Sequence, residues 1–148
     1  GCVWDGYFSD FDRNFALGYA TDEAIEAHEK LIDATVAAVR SIRPGVTRSK
    51  DLFHTMSQVL YPNIDTSDLK VDDVGRLGHG LGIQLTEPPS HTSWDETTIM
   101  PGMALTIEPS IVYGNQHHLM VAEENIFVTE KGFEYLSKPR SRTLKIIN

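Results

Sequence analysis

The chain has 148 residues, 41% of them hydrophobic and 23% charged, with a formal net charge of -8. That length and apolar fraction suit one domain with its own core, and a single cysteine, Cys2, excludes a disulfide framework or a cysteine-rich zinc module. With 13 Lys and Arg against 21 Asp and Glu, no apolar run long enough for a membrane span and no charged-then-apolar leader, the expectation is a soluble, cytoplasmic protein that binds neither nucleic acid nor membrane.

In chain order, Gly1–Leu17 is rich in aromatics, and Asp5-Gly6 between two strand-like runs signals a hairpin. A period of 2 puts Asp10 and Asp12 on one face, opposite Phe11, Arg13 and Phe15. Thr21 is a helix N-cap followed by Asp22, Glu23 and Glu26. Ile25, Leu31, Ile32, Val36, Val39 and Ile42 make its apolar stripe, and Pro44-Gly45 ends it. A second helix opens at Thr47, turns Leu52, Phe53, Met56, Val59 and Leu60 inward, and stops at Pro62. Both stripes describe core and carry no chemistry.

Asn63–Asp73 reads as loop, and a glycine-dense piece, Gly75–Gly82, follows it. Pro88–Pro101 also reads as loop. Met103–Tyr113 and Leu119–Thr129 form a second hairpin across Gly114-Asn115-Gln116, closed by Gly132, and Lys138–Asn148 is a basic tail. His28 and His54 fall on helix surfaces, His117 and His118 at a hairpin tip. Trp94 either walls a pocket or anchors its loop to the core.

Four places could carry chemistry. Asp10 sits in an aromatic strand, where a lone buried carboxylate is costly unless Arg13, water or a cation compensates it. His79 stands among Gly78, Gly80 and Gly82, which allow close backbone approach. That run lacks the Lys-Ser/Thr of a phosphate loop. Glu108 ends an apolar strand before Pro109. Glu123 and Glu124 are adjacent on a strand and point to opposite faces, so only one shares a face with Glu108. Several carboxylates with one imidazole suit manganese, iron, cobalt or zinc, and would repel one another without a cation.

The order Ser-Asp10-x-x-Arg, Gly-His79-Gly-x-Gly, Gly-Met-x-x-Thr-x-Glu108-Pro and Glu123-x-Asn-x-x-Val-Thr-Glu resembles the pita-bread metallopeptidases, and most closely their Xaa-Pro peptidase branch. The resemblance runs from Gly1 to about Leu136. It implies an α+β fold, a curved and mostly antiparallel sheet with helices outside. It also implies that residues 1–148 are most of a single catalytic domain, incomplete at the N-terminal end and lacking its first helices.

By the same resemblance Asp10, His79, Glu108 and Glu123 are metal ligands, Glu123 bridges two metals, and Glu108 also shuttles protons. The reaction implied is hydrolysis of the bond N-terminal to proline, with a peptide or small C–N compound as substrate. Non-catalytic peptide-binding modules and metal-free creatinase-like hydrolases of the same fold are the alternatives.

Three positions depart from the family pattern. A further aspartate ligand is expected two residues before Gly1. Thr86 stands where a second histidine is usual, and an alcohol is no proton donor near neutral pH. His91, five residues on, is the candidate replacement. Val121 stands where an arginine is common. These departures lead us to expect weak or absent metal binding in this chain, against two divalent ions in a complete protein. They also suggest a homodimer or partner segment over the side where the first helices are missing.

Overall fold

The computed structural model describes residues 1–65 and 75–148. Most of the segment read as loop, Asn63–Asp73, lies outside the described residues. The order of elements is β1 (Cys2–Trp4), β2 (Tyr7–Ser9), β3 (Phe15–Leu17), α1 (Asp22–Ser41), α2 (Ser49–Leu60), β4 (His79–Gly80), β5 (Glu87–Ser90), β6 (Ala104–Ile107), β7 (Ser110–Tyr113), β8 (His118–Val121), β9 (Glu124–Thr129), β10 (Gly132–Tyr135) and β11 (Lys145–Ile147). No helix among the described residues is long and apolar enough to cross a membrane.

The first hairpin forms where Asp5-Gly6 places it. Both residues have positive φ, 49° and 84°, as a two-residue primed turn requires, and β1 pairs β2 with Trp4 opposite Tyr7. Thr21 caps α1 by accepting the Ala24 N–H at 3.2 Å. The stripe of α1 is buried at Leu31, Ile32, Val39 and Ile42, joined by Ala27, Ala34 and Ala38, whose small side chains let α2 approach. The second helix starts at Ser49 and not at Thr47. Thr47 instead stitches the turn between the helices, its hydroxyl donating to the Ser41 carbonyl and accepting the Arg43 N–H. Leu52, Phe53, Met56 and Leu60 of α2 face the core.

The helices cover a five-stranded antiparallel sheet ordered β10-β9-β6-β4-β5. The long hairpin expected between residues 103 and 129 is split in two. β6 pairs β9 within the sheet, with Ile107 opposite Glu124, and β7 pairs β8 as a separate ribbon, with Ser110 opposite Val121. Glu108-Pro109 and Ala122-Glu123 fall at the break. Proline has no N–H to return, so the ladder is reduced there to the Ala122 N–H donating to the Pro109 carbonyl at 3.1 Å.

Two regions read as irregular are strands. Glu87–Ser90 pairs β4, with His79 opposite Ser90. The basic tail contributes β11, which runs parallel to β3, while Arg142 reaches Asp33 and Glu29 of α1. His28 is buried and not on the surface, its Nε2 3.1 Å from the Ser141 carbonyl oxygen, and His54 is partly buried. Trp94 is 67% exposed, so it does not anchor its loop to the core.

Candidate metal centre

Four segments far apart in sequence converge at the break in the sheet. Asp10 and Asp12 arrive on the extended stretch after β2, His79 on β4, Glu108 just after β6, and Glu123 just before β9. Donor atoms of Asp10, His79 and Glu123 lie within 4.8 Å of one another, as do those of Asp12, Glu108 and Glu123. Glu123 belongs to both groups, which is the placement of a carboxylate that bridges two cations.

Backbone contacts hold these side chains. The Glu108 N–H donates to the Leu77 carbonyl, and the His79 N–H donates to Thr106 Oγ1 at 3.0 Å. Gly78 has φ +134°, and a Cβ there would stand 2.3 Å from the Thr106 carbonyl oxygen and 2.6 Å from His91 Cδ2. Only glycine lets β4 lie so close to β6.

The His79 ring is buried, and its Nδ1 is 2.8 Å from the Gly80 carbonyl oxygen. A carbonyl only accepts, so Nδ1 carries the hydrogen and Nε2 turns its lone pair to the carboxylates. Nε2 is 3.7 Å from Glu108 Oε2 and 3.9 Å from Glu123 Oε1. Burial lowers the pKa of this ring, which keeps it neutral.

The Gly1 amino group lies 3.3 Å from Asp10 Oδ1, and Arg76 acts on Glu108. Arg13, the nearest sequence partner of Asp10, points elsewhere: it pairs with Glu124 at 2.8 Å. Arg140 also lies against Glu124, so the two neighbouring glutamates divide as their opposite faces predict, one to an arginine pair and one to the site. Glu123 is 1% exposed, and among the described residues its Oε1 has no hydrogen-bond partner. Burial first, then the charges of Glu108, Asp10 and Asp12, push its pKa up to about 8. Burial also raises Glu108, against the pull of Arg76. A neutral imidazole facing a buried carboxylate with one unpartnered oxygen, among further carboxylates, is an arrangement that a divalent cation completes.

Residues 1–130 match metallopeptidase family M24. The chain belongs to that family. It is 28% identical over 144 residues to an Xaa-Pro dipeptidase of Pyrococcus furiosus, a match covering 97% of this chain and 40% of that protein. It is 31% identical over 137 residues to an uncharacterized peptidase of Staphylococcus aureus, covering 93% of this chain and 37% of the relative. Among solved structures, a Pyrococcus horikoshii dipeptidase superposes with a TM-score of 0.81 at 30% identity, over 97% of this chain and 38% of the other. An X-Pro aminopeptidase of Thermotoga maritima shares the fold, with a TM-score of 0.82 at 23% identity, over 99% and 40% of the two chains. The pita-bread fold inferred from the motifs is therefore borne out. The M24 chain spans about 40% of the length of these relatives.

The structure brings Asp10, His79, Glu108 and Glu123 together and leaves His91 out. His91 is fully buried, its Nδ1 2.7 Å from Ser49 Oγ, and burial pushes its pKa down to about 4. The ring lies beside Gly78 and belongs to neither donor group. Thr86 itself is exposed and accepts from Arg76 at 3.2 Å. Two participants carry no assignment from sequence. Asp12 shares its face with Asp10, a signal available from period 2. Thr106 lies inside the Met-x-x-Thr-x-Glu motif, and its hydroxyl holds the backbone of His79. A cavity of about 840 Å³ lies elsewhere, between Tyr19, Tyr113 and Leu144. It touches none of the four ligands assigned from sequence.

Proposed function

We propose that this chain carries the centre of a metal-dependent hydrolase of the Xaa-Pro type, which cuts the peptide bond on the N-terminal side of proline. The observation that carries this reading is the buried Glu123, its Oε1 unpartnered, shared by two donor groups. Asp10, His79, Glu108 and Glu123 would hold two divalent cations; manganese, cobalt, iron and zinc all accept such oxygen-rich sets with one imidazole. When bound, such a pair polarises a carbonyl and supplies hydroxide at neutral pH.

The chain's own residues do the rest. His79 offers Nε2 because Gly80 holds the hydrogen of Nδ1. Thr106 fixes the backbone of His79. Glu108 is half-buried, with a pKa raised from the ordinary carboxylate value, and can take a proton from water and return it to a leaving amine. A peptide substrate is supported by the names of relatives: an Xaa-Pro dipeptidase and a dipeptidase. The test is proline release from an Xaa-Pro dipeptide with manganese or cobalt present. Cleavage that chelation abolishes supports the reading. Metal uptake without cleavage moves it to a peptide-binding module, and cleavage unaffected by chelation moves it to a creatinase-like hydrolase.

A covering partner is supported by Trp4, Tyr7, Leu17 and Tyr19, each between 62% and 85% exposed. A second chain segment laid over these side chains would take them out of water. Sedimentation as a dimer or complex supports the partner, and a clean monomer argues against it.

A further inference from the structure

We propose that the cluster of Arg13, Glu124 and Arg140 is a positioning device, which sets the Asp10–Asn14 stretch against Glu123 and so fixes the spacing of the donor groups. Its consequence for metal rests on the metallopeptidase reading; its geometry does not. Arg140 lies beyond residues 1–130, which match the family. Residues 10–14 run between β2 and β3 and belong to no strand among the described residues. Side chains therefore fasten the stretch that carries Asp10 and Asp12. Arg13 Nη1 donates to the Glu123 carbonyl and, at 3.2 Å, to the Asp12 carbonyl. Arg140 Nη1 reaches the same Asp12 oxygen at 3.5 Å, and that oxygen also accepts the Glu123 N–H at 3.4 Å. Asn14 Nδ2 donates to the Val121 carbonyl at 2.7 Å.

Glu124 holds the two guanidinium groups together. It is 2% exposed and opens β9 next to Glu123. Its Oε2 accepts Arg13 Nη2 at 2.8 Å. Its Oε1 accepts the Arg140 main-chain N–H at 2.9 Å and lies 3.2 Å from Arg140 Nε. Arg140 Nη2 donates to Thr35 Oγ1 of α1 at 3.0 Å, which ties the cluster to the helix layer. A buried ion pair is by itself a weak source of stability, because well-packed apolar side chains of similar volume often do as well. What apolar side chains cannot supply is a rigid fork of donors. Here both forks end on the main-chain oxygen of Asp12, and one also on that of Glu123. Those are the two segments whose carboxylates meet at the site. The C-terminal segment, which the sequence marks only as a basic tail, thus reaches the main chain of the metal centre through Arg140.

The test reads amide exchange of the metal-free protein by NMR, and then Mn²⁺ affinity from the electron paramagnetic resonance signal of free Mn²⁺. Arg140→Lys keeps the charge and removes the fork. It should speed exchange of the Glu123 N–H about tenfold more than that of the Val128 N–H, which donates to the Met103 carbonyl in the same sheet. It should also weaken Mn²⁺ binding by about tenfold or more, as losing a group that orients a ligand does. Glu124→Gln should act alike. Met56→Ala, in the core face of α2, lowers stability away from the cluster; it should move both amides together and leave Mn²⁺ binding within about threefold. If Arg140→Lys does not fold, Glu124→Gln and Arg13→Lys decide, and failure of all three to fold makes the cluster a structural ion pair and overturns the proposal. Glu123 and Val128 amides that shift together in a folded variant overturn it as well. Selective exchange with unchanged Mn²⁺ affinity overturns its link to the site. No Mn²⁺ uptake by the wild type overturns the metallopeptidase reading, and the exchange rates alone then decide whether the cluster positions Glu123.

Discussion

Replacing Glu123 with glutamine should stabilise the metal-free protein at alkaline pH while destroying its response to metal. The carboxyl pKa rises from 4.5 to about 8 on folding, chiefly through burial and then through Glu108, Asp10 and Asp12. Between those values the folded chain holds a proton that the unfolded chain has lost. Stability contributed by this group is therefore complete below the unfolded pKa and is lost as pH rises toward the folded one, by about 1.4 kcal/mol per pH unit. The acid side of that window also contains His91, whose pKa falls from 6.5 to about 4 and which destabilises the fold as it gains a proton below its unfolded value. Measurements from about pH 6.5 to about pH 8.5 avoid that contribution and leave a loss of about 2 kcal/mol from Glu123. For a chain of this length that is roughly 6 °C in Tm. Thermal and urea unfolding in chelator should show this decline in the wild type and a nearly flat profile in Glu123→Gln. Added Mn²⁺ should restore the wild type at the alkaline end and leave the variant unmoved. Parallel pH profiles for the two proteins would refute the argument, because the buried charge would then cost nothing.

Three further substitutions probe the surroundings. Glu108→Gln should lower turnover of an Xaa-Pro dipeptide by about a hundredfold or more with unfolding unchanged, since an amide neither accepts nor returns the proton; substantial residual activity would remove Glu108 from that role. Arg140→Ala should cost about 3–5 kcal/mol in urea unfolding. It leaves the buried Glu124 with Arg13 as its remaining ion-pair partner, and a loss under about 1 kcal/mol would show that Arg13 suffices. Gly78→Ala should destabilise more than Gly102→Ala. Both sites have positive φ, but a Cβ meets the Thr106 carbonyl at the first and open space at the second. The difference, roughly 1–3 kcal/mol, isolates the clash from the backbone strain.

The legible parts of the fold are those in which a short run of residues decides the outcome. Asp5-Gly6 makes its turn because both backbone positions need positive φ, which a two-residue window displays. Thr21 makes its cap because the acceptor and the orphan N–H of Ala24 are three residues apart. The second helix starts two residues later than Thr47 suggests because the Asp51 carboxylate accepts the Arg48 N–H there, while Thr47 turns its hydroxyl back to Ser41. An arginine at an N-cap carries no local signal. β5 and β11 are illegible for a different reason. Prolines at 88 and 89 argue against a strand, and Lys145–Ile147 has no partner within the sequence around it. Each becomes a strand because an edge elsewhere, β4 or β3, offers it a ladder.

The site follows the same division between local and distant causes. Asp10, His79, Glu108 and Glu123 are legible because each sits in a motif that carries its own punctuation: glycines around the histidine, a proline after one glutamate, a second glutamate after the other. What no motif displays is the register that joins two of them. β6 ends before Glu108 and β9 begins after Glu123, and the chain passes on to the β7–β8 ribbon. Ile107 stands opposite Glu124 and Ser110 opposite Val121, so the register is unshifted across the interruption and sets Glu108 across from Glu123. Both glutamates there share donor groups with His79 or the Asp10–Asp12 stretch. Asp12 is visible in the sequence as a residue on the right face, but it lacks such a marker. Its carbonyl accepts the Glu123 N–H, a contact across 111 positions of sequence that only the folded chain makes.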